Sequence, residues 1–292
     1  MAEIAIIGFG EAGSVYAADL AAAGVRIWDK KLLSAEGEAM RQRAEALNAT
    51  PAHSAAEAVQ GVKWVLSLVT AGSAAEVAHE LAPLLQPGQI LLDFNSVAPE
   101  TKCRSAQIVA GGAGDYLDVA VMAPVPPKRL ATPLLIGGAQ AERVALRLTE
   151  LGCNARAAST QVGEVSAIKM CRSVMIKGLE ALTTECLRAA RLYGVEAPVL
   201  NSLHASFPSL GWDDQLPHYL ISRVAEHGVR RSEEMQEVVK TLQDVGLSGV
   251  MSQATSELQG ELPAQLAQRQ LRYSDLVPFV WQDVADKLAK AK

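Results

Sequence analysis

The sequence predicts an α/β fold, in which a doubly wound parallel sheet is followed by an all-α domain and joined to it by a long interdomain helix. Three observations carry that prediction. The apolar run Ile4-Ala5-Ile6-Ile7 leads directly into Gly8-Phe9-Gly10-Glu11-Ala12-Gly13. Short apolar segments then alternate with helical patterns to about residue 160, as expected of a parallel sheet covered on both faces. Beyond Gly163 the strand signals vanish and helical periodicity runs to the end of the chain. The chain therefore divides into residues 1–160 and 161–292.

The glycines at the end of the first strand have separate physical tasks. One permits a tight strand-to-helix turn, one lets the backbone approach a pyrophosphate, and one lets the helix pack closely on the strand. Residues 12–23 read as the helix, whose free N–H groups and positive dipole end face the phosphates, and Gly24 closes it. Residues 25–29 are the second strand, ending in Asp29, 21 residues after Gly8. A carboxylate there accepts hydrogen bonds from an adenosine ribose and repels a 2′-phosphate, which favours NAD over NADP. Lys30 and Lys31 pull the other way, since cations beside the ribose tolerate a phosphate. The cofactor-binding candidates here are Gly8, Phe9, Gly10, Glu11, Ala12, Gly13, Asp29 and Lys30. The competing reading is a purely structural turn.

The next elements follow the same logic. Residues 64–69 form a buried strand, and Ser54…Glu57 and Ser73…Glu76 match capping boxes at helix starts. Pro87-Gly88 turns the chain into a strand at 89–94, and Pro99 suits the first turn of a helix. Further strands are expected at 116–122, 134–136 and 154–157, with a helix over 141–151 closed by Gly152. Residues 164–193 read as one helix closed by Gly194, about 45 Å long. Helices at 198–205, 213–226, 232–245, 249–259 and 274–289 follow, separated by Pro208, Gly228, Gly246 and Pro263.

Composition narrows the function. With 292 residues, 49% hydrophobic and 4% aromatic, the chain can bury a sizeable core of Ala, Leu and Val. A formal net charge of −5 without a basic block argues against nucleic acid and anionic membranes as partners. No run approaches a membrane span and no signal peptide is expected before the first strand, so a cytoplasmic protein is the expectation. Cys103, Cys153, Cys171 and Cys186 lack metal or redox spacing and read as small buried hydrophobes. His204 and His218 have no spaced acidic or cysteine partner, so no metal site is expected.

Hydride transfer to a nicotinamide needs a base for the hydroxyl proton. Lys169 fits, because Ala167, Ile168, Met170 and Cys171 surround it on the long helix, and partial desolvation pushes an ammonium toward neutrality. Ser173, four residues on, shares its helix face and can hydrogen-bond the substrate oxygen. Lys177 competes for the role, and a lysine that merely snorkels to solvent is the plain alternative.

Taken in order, Gly8-Phe9-Gly10-Glu11-Ala12-Gly13, Asp93-Phe94-Asn95-Ser96-Val97-Ala98-Pro99 and Gly163-x5-Lys169-x3-Ser173 resemble the motifs of the β-hydroxyacid dehydrogenases, which include 6-phosphogluconate and 3-hydroxyisobutyrate dehydrogenases. The likeness spans the chain, and Lys169-Met170-Cys171-Arg172-Ser173 with the stretch from His227 to Met235 marks a separate branch. The resemblance implies a Rossmann domain, an all-helical second domain, Lys169 as catalytic acid/base and a homodimer. It puts Ser96 beside the nicotinamide or the substrate acid group, with Val69, Thr70 and Asn95 along the cofactor's path.

The departures from the family pattern bear on substrate. Met122-Ala123-Pro124 stands where members carry Ser-Gly-Gly to grip a carboxylate, which makes Met122 a substrate-pocket candidate. Ser173 replaces a common asparagine, and Glu233-Glu234 replace a Lys-Asp pair. The acid group then falls to Arg230 and Arg231, with His227 on the same face if the helix runs through Gly228. The alternative is a solvated helix start whose arginines pair with Glu233 and Glu234. Lys128 and Arg129 read as an exposed loop that could cap the pocket. The leading expectation is an NAD(P)-dependent oxidoreductase acting on the 3-hydroxyl of a small hydroxy acid, with sugar acids among the candidates; an imine or ketone reductase and a non-catalytic dinucleotide sensor are the alternatives.

Overall fold

The structure is a computed structural model that describes residues 2–289, and the chain divides into two compact units, Met1–Met170 and Cys171–Lys292. The first unit runs β1 (Ile4–Ile7), α1 (Glu11–Asp19), β2 (Val25–Trp28), α2 (Gly37–Ala46), β3 (Ala49–Pro51), α3 (Ala55–Val59), β4 (Trp64–Ser67), α4 (Ala74–Leu81) and β5 (Ile90–Asp93). It continues with α5 (Pro99–Ala110), β6 (Asp115–Val121), the single turn α6 (Val125–Lys128), β7 (Leu134–Gly137), α7 (Ala141–Glu150) and β8 (Ala155–Ser159). The strands form one sheet in the order β3-β2-β1-β4-β5-β6-β7-β8.

All neighbouring strands are parallel except β6 and β7. The sheet is therefore mostly, not wholly, parallel, and its antiparallel pair was not foreseen. The central strands are buried on both faces, as a covered sheet requires, and Ile4, Ile6, Ile27, Val65, Leu66 and Leu92 sit in the core. The short edge strand β3 and the helix α2 were also not foreseen, since α2 is rich in Glu and Arg and buries only Gly37, Met40 and Ala44.

The chain continues with α8 (Glu164–Tyr193), α9 (Glu196–Ser206), α10 (Leu216–Asp244), α11 (Val250–Gln268) and α12 (Trp281–Ala289). The division between units falls inside α8. Leu187, Ile221, Val224, Leu262, Leu266, Trp281 and Val284 make the core of the helical unit.

Several local expectations need correction. The helices expected at 213–226 and 232–245 are one helix, α10, and Gly228 does not interrupt it. Its missing side chain serves packing: a Cβ there would lie 2.1 Å from the Gln259 carbonyl oxygen of α11. Nor does Pro263 end α11, which runs through it to Gln268. Proline removes the N–H that the carbonyl four residues earlier would receive, and that carbonyl belongs to Gln259. Gly228 and Pro263 thus face each other across one close helix crossing, and tertiary packing overrides two local breaking signals.

The stretch 274–289 is a 3-10 turn, Tyr273–Leu276, followed separately by α12, and the helix expected at 12–23 gives way after Asp19 to a 3-10 turn, Ala21–Ala23. Ser54 caps α3 by accepting the Glu57 N–H at 3.1 Å, while Glu57 reaches back to the His53 N–H. Ser73 makes no capping bond, because a 3-10 turn, Ala71–Ser73, precedes α4. Of the cysteines only Cys153 is buried; Cys171 and Cys186 are exposed on α8, whose long surface is not fully covered within the chain.

Candidate functional site

The strand order reverses direction between β1 and β4, and in open sheets ligands bind at the carboxyl ends of strands beside such a switch. Gly8 follows β1 with φ +96°, and a Cβ there would meet the Leu68 carbonyl oxygen at 2.4 Å. A Cβ on Gly13 would lie 2.1 Å from the Gly8 oxygen, so α1 can approach β1 only with glycine at this position. Gly10 differs, since a Cβ there would meet nothing within 4 Å. Its open face lies at the start of α1, where no side chain caps the helix and the first N–H groups are left for an anion.

A cleft of about 240 Å³ opens beside this turn, lined by Gly10, Glu11, Ser14, Asp29, Lys31 and Arg43 among others. Asp29 Oδ2 accepts the Phe9 N–H at 2.8 Å and Oδ1 accepts the Lys31 N–H at 2.9 Å, which pins the end of β2 against the glycine turn. Each oxygen keeps a lone pair for a ribose hydroxyl. Arg43 of α2 donates to the Phe9 carbonyl at 2.7 Å, and its guanidinium stands 4.8 Å from the Phe9 ring centroid. Lys31 rather than Lys30 lines the cleft. The uncapped helix start, the open Gly10 face and the Asp29 carboxylate fit a dinucleotide. Sequence reasoning missed Arg43, because the helix that carries it has little apolar periodicity and lies 34 residues from its partner Phe9.

The ends of β4 and β5 are clipped together by Asn95, which is buried. Its Oδ1 accepts the Val69 N–H at 2.8 Å and its Nδ2 donates to Ser67 Oγ at 2.9 Å. The Val69 N–H and the Asn95 amide are thus engaged with each other, while exposed Thr70 donates to Ser73 Oγ at 3.3 Å. The residue after Asn95 is Ser96, and Lys169 Nζ donates to Ser96 Oγ. Both are half-buried, and both belong to the first unit. The structure thus joins two residues 73 positions apart that the sequence singled out separately. Met122 packs on Ala120, Leu135 and Val165, so its own surroundings are apolar, whereas Pro124 is exposed. Arg129 makes a bidentate ion pair with Asp19 of α1, with Nε at 3.0 Å and Nη2 at 2.5 Å from its oxygens, so its fork is already used.

Ser173, His227, Arg230 and Arg231 lie in the helical unit. Ser173 is buried and accepts from Lys177 Nζ at 3.1 Å; the same ammonium is 3.0 Å from Glu234 Oε2. Lys177 is thereby committed to an ion pair. Arg231 is buried against Glu180, to which Gln259 also donates at 3.1 Å. Burial pushes the Glu180 carboxyl above its usual range against the opposing pull of Arg231, and burial lowers Arg231 likewise. Arg230 is half exposed and pairs with Glu234 at 2.8 Å. Because α10 is continuous, His227 does share its face with Arg230 and Arg231. Burial first, and then Arg223, Arg230 and Arg231, press its pKa down to about 4. Among the described residues no group of three or more His, Cys, Asp or Glu could hold a metal ion, and no helix is long and apolar enough to cross a membrane.

The comparisons with known proteins bear on the family and the fold. Residues 3–163 match the family described as the NAD binding domain of 6-phosphogluconate dehydrogenase, and residues 190–262 match a domain of unknown function, DUF1932. A conserved hypothetical protein from Sinorhizobium meliloti 1021, seen in a crystal structure, is 37% identical, with 99% of this chain and 97% of that chain covered and a TM-score of 0.78. The 3-hydroxyisobutyrate dehydrogenase of Pseudomonas aeruginosa is 28% identical over 73% of this chain and 72% of its own length. The Mycobacterium tuberculosis 3-hydroxyisobutyrate dehydrogenase solved with L-serine shares the fold over the whole of both chains, with 16% identity and a TM-score of 0.76. With its glycine turn, its Asp29 carboxylate and a family match over more than half its length, the chain belongs to the 6-phosphogluconate dehydrogenase family and is a nicotinamide-dependent dehydrogenase of the β-hydroxyacid type.

Proposed function

We propose that the protein transfers a hydride between a nicotinamide cofactor and the 3-hydroxyl of a small hydroxy acid, with Lys169 as general acid/base. The observation that carries this reading is the hydrogen bond from Lys169 Nζ to Ser96 Oγ, at the loop that follows β5. The nicotinamide, when bound, supplies the hydride acceptor. In the oxidative direction the neutral amine of Lys169 takes the hydroxyl proton as the carbon–hydrogen bond is broken, and the ammonium returns it in reduction. Ser96 Oγ holds the amine and shares the substrate oxygen with it. Asp29 reads the ribose hydroxyls and favours NAD, with Lys31 and Arg43 as the groups that would accept NADP.

The acid group of the substrate falls to Arg230, Arg231 and His227. Arg231 is paired with buried Glu180, so half-exposed Arg230 is the better reader of the three, exchanging Glu234 for the substrate. The side chains of Leu192 and Tyr193, large, apolar and exposed at the end of α8, support a homodimer. Reduction of a ketone or cyclic imine without a carboxylate is the second reading, favoured by the apolar packing of Met122.

The test is a panel of 3-hydroxy acids, sugar acids, ketones and cyclic imines, assayed with NAD and NADP at the nicotinamide absorbance. Turnover of hydroxy acids supports the first reading, and turnover of imines or simple ketones alone supports the second. Tight cofactor binding without turnover of any compound would leave a dinucleotide sensor.

A further inference from the structure

Asp93 and Asp118 are direct neighbours in register on β5 and β6, and both are buried. Like charges side by side on adjacent strands repel, and in a core the repulsion is not screened by water. Lys102 of α5 resolves the conflict. Fully buried, its Nζ lies 3.0 Å from Asp93 Oδ1 and 3.2 Å from Asp118 Oδ1, and it donates to the Asp93 carbonyl at 2.7 Å. A core of leucines would avoid the whole problem, so the three charges call for an explanation beyond packing.

The remaining bonds of the two carboxylates supply one. Asp93 accepts the Asn95 N–H at 2.9 Å and the Tyr116 hydroxyl at 2.6 Å, which fixes the loop whose next residue is Ser96. Asp118 accepts the Gly163 and Ser166 N–H groups, each at 3.2 Å, and the Ser166 hydroxyl at 2.8 Å. Those amides are at the start of α8, where the helix dipole also favours a carboxylate, and Lys169 follows Ser166 by three residues, about one turn later. Gly163 itself sits against Pro99 and Cys103 of α5, where a Cβ would meet the Cys103 sulfur at 3.0 Å. Covalent links and hydrogen bonds thus form a closed ring through Ser96, Asn95, Asp93, Lys102, Asp118, Ser166 and Lys169.

We propose that Lys102 is a positioning residue for the reaction: by bridging Asp93 and Asp118 it fixes the Ser96 loop and the start of α8 so that Ser96 Oγ and Lys169 Nζ meet. Its importance for turnover rests on the reading of Lys169 as acid/base, but the geometry it enforces can be tested without a substrate. The probe is acetic anhydride at a fixed pH, with labelling of each lysine followed by mass spectrometry and exposed Lys63 as the internal reference. In Lys102→Met, labelling of Lys169 relative to Lys63 is expected to rise fivefold or more as Ser96 releases it. On the panel hydroxy acid turned over fastest, kcat is expected to fall at least tenfold while KM for the cofactor stays within twofold, because the glycine turn is untouched.

Lys169 labelling unchanged within twofold in the folded variant overturns the proposal. Should Lys102→Met fail to fold, Tyr116→Phe and Ser166→Ala each remove one neutral donor from one arm of the ring. Each is expected to raise Lys169 labelling at least twofold, and no change in either overturns the proposal equally. Full activity of Lys169→Ala would instead undo the catalytic reading and leave the labelling result standing.

Discussion

The two units bury charge in different ways. In the sheet unit one ammonium, Lys102, sits between two carboxylates, of which Asp93 holds one backbone N–H and Asp118 two, so the charges organise loops. In the helical unit Arg231 with Glu180 and Lys177 with Glu234 pair side chain to side chain between helices, and Gln259 is the principal neutral partner. The first arrangement fixes where backbone segments meet. The second satisfies charges that would otherwise be stranded among helices, and it leaves Arg230 at the surface. The difference teaches where chemistry and where substrate choice are expected: rigid loop geometry around Lys169, and exchangeable ion pairs around Arg230.

The largest expected effect that sharpens this contrast is on stability. Arg231→Met leaves the Glu180 carboxylate buried without its cation and should cost about 3–5 kcal/mol in denaturant unfolding. Arg231→Met/Glu180→Leu should recover most of that loss, since well-packed apolar side chains replace buried ion pairs at little cost. If the double variant is as unstable as the single, Arg231 has a role in the fold beyond its pair.

Next is the pH dependence of the helical unit. The folded state holds His227 at about 4, below its ordinary value, so the unfolded chain takes up the proton first as pH falls. Stability contributed by neutral His227 is complete above about pH 6.5 and is lost as pH falls toward 4, by at most about 3 kcal/mol. Glu234 offsets only part of this, because burial and the three arginines oppose it, and the carboxylate 3.1 Å away, Glu226, is exposed. His227→Asn should flatten unfolding free energy against pH between 4 and 6.5; an unchanged slope would assign the acid sensitivity elsewhere.

Smaller again is the effect of Asp29→Asn on cofactor choice. Loss of the negative charge facing the ribose should shift the ratio of NAD to NADP affinity toward NADP by about tenfold, or about 1.4 kcal/mol, in fluorescence titration. The smallest contrast is between two serines that look alike in sequence. Ser54→Ala should cost about 1 kcal/mol, and Ser73→Ala close to nothing, because only Ser54 accepts a helix N–H.

What was legible in the sequence follows from how local each constraint is. Gly8, Gly13 and Asp29 act through backbone geometry within a strand, a turn and a helix, and that requirement is written in the residues themselves. Ser96 and Lys169 were legible as separate motifs, but their meeting depends on the packing of α8 beside the end of β5. Lys102 left no signal, because a lysine on an amphipathic helix ordinarily faces water. Gly228 and Pro263 were misleading for the same reason in reverse: each is a local breaker, and each is absorbed by a helix crossing that only the fold reveals. The strand at 134–136 was expected but its antiparallel direction was not, because strand direction is not encoded in the apolarity of a four-residue segment.

The most direct test of the central claim is the turnover of Lys169→Met on the hydroxy acid identified from the panel, measured beside its cofactor affinity. Loss of a positioned acid/base should lower kcat by about 10²–10⁴-fold while the cofactor dissociation constant stays within twofold. A variant that binds cofactor normally and keeps most of the wild-type kcat would contradict the account.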